Sequence, residues 1–190
     1  MGNIRVCALS DYPDHFGGYG ICYAEYCAPG AVDAITCKLP LEGKVLEIGS
    51  GLGGFLTKYG PAGMIGLDRY SKEFVADHPW VVNGEMHNLP FSDAEFDTLY
   101  SSNVFEHALS PTVALCEANR VLKTNGLFHL IVPKDIDTWV DDDSHISCLS
   151  DRLWRKLFRI TGFRVIDFRE HSNGPMMIYS LKKDRNWDAK

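Results

Sequence analysis

Val45-Leu46-Glu47-Ile48-Gly49-Ser50-Gly51-Leu52-Gly53-Gly54 is the stretch on which the fold turns. The apolar run Lys44–Ile48 predicts a short strand, and Phe55–Tyr59 predicts the start of a helix. The turn between them is almost all glycine, which lets a ligand come close to the backbone at a helix start. Gly49, Gly51 and Gly54 satisfy the spacing G-x-G-x-x-G, a dinucleotide fingerprint that is weak on its own. Asp68 lies nineteen residues after Gly49, where an acid can accept both hydroxyls of an adenosine ribose.

Outward from that turn, strands and helices alternate. Met64–Leu67, Trp80–Val82 and Phe96–Tyr100 read as strands and Ser71–Ala76 as a helix. Ser110-Pro111 predicts a helix start, serine as cap and proline at the first helical position. Leu115, Ala118 and Leu122 form its buried face, and Asn125-Gly126 is expected to end it. Leu127–Val132 is apolar enough for a central strand. Ser150 is expected to cap a helix with Leu153, Leu157 and Ile160 buried, closed by Gly162. Phe163–Phe168 and Met176–Leu181 leave no room for a helix between them, so they should pair as an antiparallel hairpin. The expected fold is α/β: a doubly wound, seven-stranded, mostly parallel sheet with a C-terminal antiparallel hairpin, in an α/β/α sandwich. Ligands of such sheets sit at the carboxyl ends of the strands, near the switch point.

The 190 residues suit one domain, with a lid or cap over 1–40, a cofactor-binding half over 41–135 and an acceptor side over 136–190. Hydrophobic residues make up 45 % and charged residues 23 %, ordinary globular usage. No apolar run approaches the roughly 18 residues of a membrane span, and the start lacks the apolar stretch of a signal peptide. The six cysteines form no C-x-x-C pair, so free thiols and a cytoplasmic location are expected. A net charge of −6 disfavours a nucleic-acid partner, which would call for a basic face.

Glu47 separates two nucleotide-type ligands. A pyrophosphate would rest beside it, and like charges about 5 Å apart repel by roughly 3 kcal/mol at an effective dielectric of 20. A cofactor end carrying an ammonium and a sulfonium would instead be attracted. Val45 to Gly51 resembles the first motif of class I S-adenosylmethionine-dependent methyltransferases. Gly84-Glu85-Met86-His87-Asn88-Leu89-Pro90-Phe91 with Phe96-Asp97, Ser101-Ser102-Asn103-Val104-Phe105-Glu106-His107, and Arg120-Val121-Leu122-Lys123-Thr124-Asn125-Gly126 are similar to three more of the family's motifs, in the family's order.

That resemblance implies S-adenosylmethionine as cofactor, with S-adenosylhomocysteine as product, and a Rossmann-like fold. It implies that Gly49, Ser50, Gly51 and Gly53 lie along the methionine part. Asp68 would hold the ribose, with Arg69 beside it. Glu85 and Met86 would meet the adenine, and Asn103 the floor near the methyl group. Glu85 stands where the family usually has Asp, which lengthens its reach. Asn125 replaces a glycine and tolerates the left-handed conformation.

Methyl transfer from a sulfonium is an in-line displacement, catalysed mainly by positioning and exclusion of water. A hydroxyl acceptor also calls for a base. His107 and His145 are the candidates, each with a bland alternative: His107 as scaffold, His145 in an exposed acidic turn. Asp135, Asp137, Asp141, Asp142 and Asp143 offer oxygen ligands, but in a flexible loop, and no metal is expected. Tyr19 and Tyr23, among glycines, suit a lid over the site. The expected acceptor is a small molecule or glycan, methylated on oxygen or nitrogen by a monomer or homodimer. A protein or RNA acceptor, a non-catalytic binding subunit and a nicotinamide-dependent dehydrogenase are the alternatives.

Overall fold

The computed structural model describes residues 39–51, 53, 55–56, 60–69, 72–170 and 176–187. The chain divides after Leu39, and nearly all described residues belong to the unit Pro40–Lys190. The lid expected over 1–40, with Tyr19 and Tyr23, lies outside the described residues.

Seven strands form a single sheet: β1 Val45–Ile48, β2 Ile65–Asp68, β3 Val81–Asn83, β4 Phe96–Ser102, β5 Leu122–Pro133, β6 Phe163–Glu170 and β7 Met176–Lys183. Their order is β3-β2-β1-β4-β5-β7-β6. The first five strands run parallel, and β7 joins antiparallel to both β5 and β6. This is the doubly wound sheet with a terminal hairpin that the sequence predicts. All four residues of β1 are buried, as a central parallel strand requires. From β1 the chain winds outward through β2 and β3, then returns to build β4 and β5 on the other side. The switch point therefore lies between β1 and β4. No described helix is long and apolar enough to cross a membrane.

Among the described residues the longer helical segments are α1 Lys72–Asp77, α2 Pro111–Val121, α3 Asp137–Val140 and α4 Asp151–Ile160. The start of α2 follows expectation: Pro111 opens it, and the Val113 N–H donates to Ser110 Oγ at 3.4 Å. Its end does not. The helix stops at Val121 and β5 begins at Leu122, so Asn125-Gly126 lies inside the strand, Asn125 taking a left-handed φ of 66°. The cap comes from elsewhere in the sequence. Lys183 of β7 is buried, and its ammonium donates to the carbonyls of Asn119 and Leu122, each at 2.6 Å. A cation on the last carbonyls satisfies them and opposes the helix dipole, so no glycine is needed there.

The buried face of α4 also differs from the expected one. Leu153 and Ile160 are exposed, while Trp154 and Phe158 are fully buried. These two rings stack at 5.9 Å, and Phe158 meets Tyr179 of β7 edge-on at 5.0 Å. An aromatic pair one turn apart buries more area than the leucines would, which rotates the helix toward it. Ser150 precedes the helix but its side chain makes no cap bond.

Lys183→Met should keep the stem's packing and lose both charge-assisted bonds. We expect a loss of about 2 kcal/mol of stability and a fall in Tm of about 4–8 °C, read by thermal and denaturant unfolding.

Candidate active site

The two loops at the switch point are packed on each other. Ser101 of β4 is buried, and its hydroxyl donates to the Ile48 carbonyl at 2.8 Å. Gly49 has a φ of 77°, and a Cβ there would sit 2.1 Å from Val104 Cγ2. Only glycine fits both the backbone and the space. Gly53 is constrained likewise, with a φ of 74° and the Trp80 ring 2.2 Å from its missing Cβ.

The loop donors turn inward. Gly49 N–H and Ser50 N–H both donate to the Leu67 carbonyl, at 2.8 and 3.1 Å, and Gly53 N–H to the Ser50 carbonyl. Gly51 N–H donates to Asp68 Oδ2 at 2.8 Å, while Arg69 N–H donates to Asp68 Oδ1. Each of these loop donors is thus engaged within the protein.

Glu47 is 4 % exposed, and its Oε2 has no hydrogen-bond partner. Burial pushes its carboxyl well above the ordinary range, and the nearby Asp68 adds to the rise, against one hydrogen bond from the Leu56 backbone. Asp68 is raised too, by burial, despite the bonds from Arg69 and Gly51. Among the described residues no ion pair reaches Glu47. Glu47, buried, and Asp68, half-buried, set two carboxyls near each other with an oxygen left over, an acidic site suited to a cation.

Glu85 is differently placed. It pairs with Arg69 and accepts from His87 Nδ1 at 2.9 Å. Burial raises its carboxyl, but the bonds from His87 and Arg69 outweigh that and hold it below its ordinary value. The Ser110 N–H donates to His87 Nε2 at 3.2 Å, which fixes the tautomer and ties Glu85 to the start of α2. His87 escaped the sequence reading because only folding brings it to Ser110. Arg120 has a structural role that its motif did not disclose. Its guanidinium donates to the Leu89 and Phe91 carbonyls and pairs with Glu117, holding the segment behind Met86. Met86 itself packs half-buried on the core.

Asn103 has a left-handed φ of 49°, and its Oδ1 is buried with no partner. The turn Phe105–His107 follows. Glu106 there is wholly buried, neither carboxyl oxygen has a partner, and burial pushes its pKa up to about 8. The rings of His107 and His145 lie 4.9 Å apart, so the fold brings together the two histidines singled out from sequence. Burial lowers the His107 pKa, against the bond to the Ser144 carbonyl, and Asp68 is close enough to pull it upward. Three bonds dock the loop carrying His145 onto this turn. His107 Nδ1 donates to the Ser144 carbonyl at 2.8 Å, Ser147 N–H to the Glu106 carbonyl and Ser147 Oγ to the Ala108 carbonyl.

Residues 46–130 match the family model described as a methyltransferase domain, covering the glycine loop, Asp68, Glu85, Asn103 and Glu106-His107. Over that stretch, just under half of the chain, the sequence is similar to this methyltransferase family. The chain is 26 % identical over 164 residues to the sarcosine/dimethylglycine N-methyltransferase of Halorhodospira halochloris, covering 75 % of this chain and 59 % of that one. It is 32 % identical over 114 residues to the sterol 24-C-methyltransferase of Gibberella zeae, covering 53 % and 30 %. The chain thus spans less than two thirds of the length of these curated relatives. An S-adenosylmethionine-dependent methyltransferase from Mesorhizobium loti superposes with a TM-score of 0.67 over 82 % of this chain and 98 % of that one, at 14 % identity, and shares the fold.

Glu47→Gln tests the buried carboxyl without ligand. A carboxyl raised by burial favours the folded state in its protonated form, fully below its ordinary pKa, and this is lost as pH rises through the raised value. The glutamine carries no such penalty. The chain with Glu47→Gln should melt above wild type near about pH 8, and the gap should close toward about pH 4. A variant that melts lower at the higher pH would contradict the reading.

Proposed function

We propose that this chain is an S-adenosylmethionine-dependent methyltransferase that methylates an oxygen or nitrogen of a small-molecule or glycan-type acceptor. The observation that carries the reading is the buried Glu47 beside the half-buried Asp68, toward the carboxyl ends of β1 and β2, with Glu47 Oε2 unpartnered. The family match supports the cofactor, and the amine acceptor named for the Halorhodospira relative supports a small substrate.

When bound, the cofactor supplies an electrophilic methyl group on a neutral leaving thioether. Glu47 attracts the ammonium end, and ionises as it does so. Asp68 exchanges its bond from Gly51 for the ribose hydroxyls. Glu85, kept ionised by His87 and Arg69, accepts from the adenine amino group, and Met86 packs on the ring. The site sits at the switch point, and the left-handed Asn103 lines its floor. His107 and His145 stand on the acceptor side, where either can take a proton from a hydroxyl or an ammonium. The roles of Tyr19 and Tyr23 as a cover belong to this same proposal.

Titration calorimetry with S-adenosylmethionine and S-adenosylhomocysteine tests the assignment. Wild type should bind both, Asp68→Ala and Glu47→Gln about 10–100-fold more weakly, as expected for lost charge-assisted bonds. Because pairing with the ammonium lowers the raised Glu47 carboxyl, binding should release protons in the pH range where free Glu47 is still partly protonated, seen as a heat that varies with the buffer's ionisation enthalpy. Absence of binding by wild type, or undiminished binding by both variants, would remove the proposal.

A further inference from the structure

Glu106, His107 and His145 each offer one ligand atom, and these atoms all lie within 4.8 Å of one another. They come from two segments, the turn after β4 and the loop after β5, that the Ser144 and Ser147 bonds hold together. Independently, the Glu106 carboxyl is 1 % exposed, and neither oxygen has a hydrogen-bond partner on another residue. A buried carboxyl with no partner is costly and calls for a cation or a proton. His107 Nδ1–H donates to the Ser144 carbonyl, so in the neutral ring the lone pair is on Nε2. A backbone carbonyl on the far nitrogen is how metal-ligating histidines are oriented.

We propose that Glu106, His107 and His145 bind one divalent transition-metal ion that ligates the oxygen of the methyl acceptor. The acidic run between Asp135 and Asp143 is a different group of residues and supplies none of the three ligands. Two imidazoles and one carboxylate suit zinc, manganese, iron or cobalt, and leave positions open for substrate. Magnesium prefers an all-oxygen shell. Ligands bound at about 2.1 Å sit roughly 3 Å from each other, so the loop of His145 moves inward by about an ångström or two on metal binding. Asn103, three residues before Glu106, has a buried and unpartnered Oδ1 facing the same need for a donor or cation.

The consequence for chemistry rests on the methyl-donor reading above. An ion at this place lowers the pKa of a hydroxyl that ligates it. With both imidazoles on the ion, neither serves as the base and the hydroxyl proton leaves to solvent; the oxygen forms its bond to the methyl carbon, and the carbon–sulfur bond breaks with its electron pair going to sulfur. The acceptor class is therefore an alcohol, phenol or other chelating oxygen rather than a simple amine.

Chelator-treated full-length chain titrated with Co²⁺, followed by visible absorption and calorimetry, tests the site without turnover. Wild type should take up one Co²⁺ per chain, and Mg²⁺ should fail to displace it. His145→Ala and Glu106→Gln should each bind Co²⁺ at least about tenfold more weakly. His145 sits on a half-exposed loop, so its loss spares the core should Glu106→Gln misfold. Asp143→Asn, on the same loop but outside the triad, should bind like wild type. No stoichiometric uptake by wild type, or uptake undiminished in both triad variants, would overturn the ion site. S-adenosylmethionine binding is measured on the same samples. Donor binding without Co²⁺ uptake overturns this inference alone. Co²⁺ uptake without donor binding keeps the ion site and overturns the reading of the preceding section.

Discussion

A single close approach organises the molecule: the bare backbone of Gly49 against Val104. Any side chain at Gly49 would occupy the space of the Val104 methyls, and its left-handed backbone would be strained as well. Because glycine is there, the turn after β1 and the turn after β4 lie against each other at the switch point. Ser101 reinforces the contact with its bond to the Ile48 carbonyl. Everything with chemistry in it hangs from these two turns. Glu47 and Asp68 stand on one side, Asn103, Glu106 and His107 on the other.

The two sides share an electrostatic character. Each holds a buried carboxyl oxygen that nothing in the described residues neutralises. Folding has thus concentrated acid where the dielectric is low, a cost that bound cations offset. One side suits an organic cation, the other an inorganic one.

Much of this was legible in the sequence because it is local. Glycines between a strand and a helix, Ser110-Pro111 at a helix start, and two late strands with no room for a helix all read correctly, because neighbouring residues alone determine them. Asp68 was legible because its distance from the loop is fixed by one strand–helix–strand unit. What was missed depends on distant partners. The helix after Pro111 stops at Val121 because Lys183 arrives to cap it. The helix after Ser150 turns Trp154 and Phe158 inward because Tyr179 waits in β7. Glu85 finds His87 nearby in sequence, yet His87 is fixed only by Ser110. Periodicity counts apolar positions and cannot weigh an aromatic pair against leucines, nor see a lysine 64 residues away.

That lysine carries a consequence for how the chain assembles. The last carbonyls of α2 open directly into β5, which pairs with β4 on one side and β7 on the other. Until β7 joins, the end of α2 has no ammonium to receive it and β5 presents an open edge to other chains. On a ribosome, the half of the sheet that holds the glycine loop emerges well before β7 does. The loop's neighbourhood is thus built early but locked late, and the terminal hairpin decides when β5 is paired on both sides.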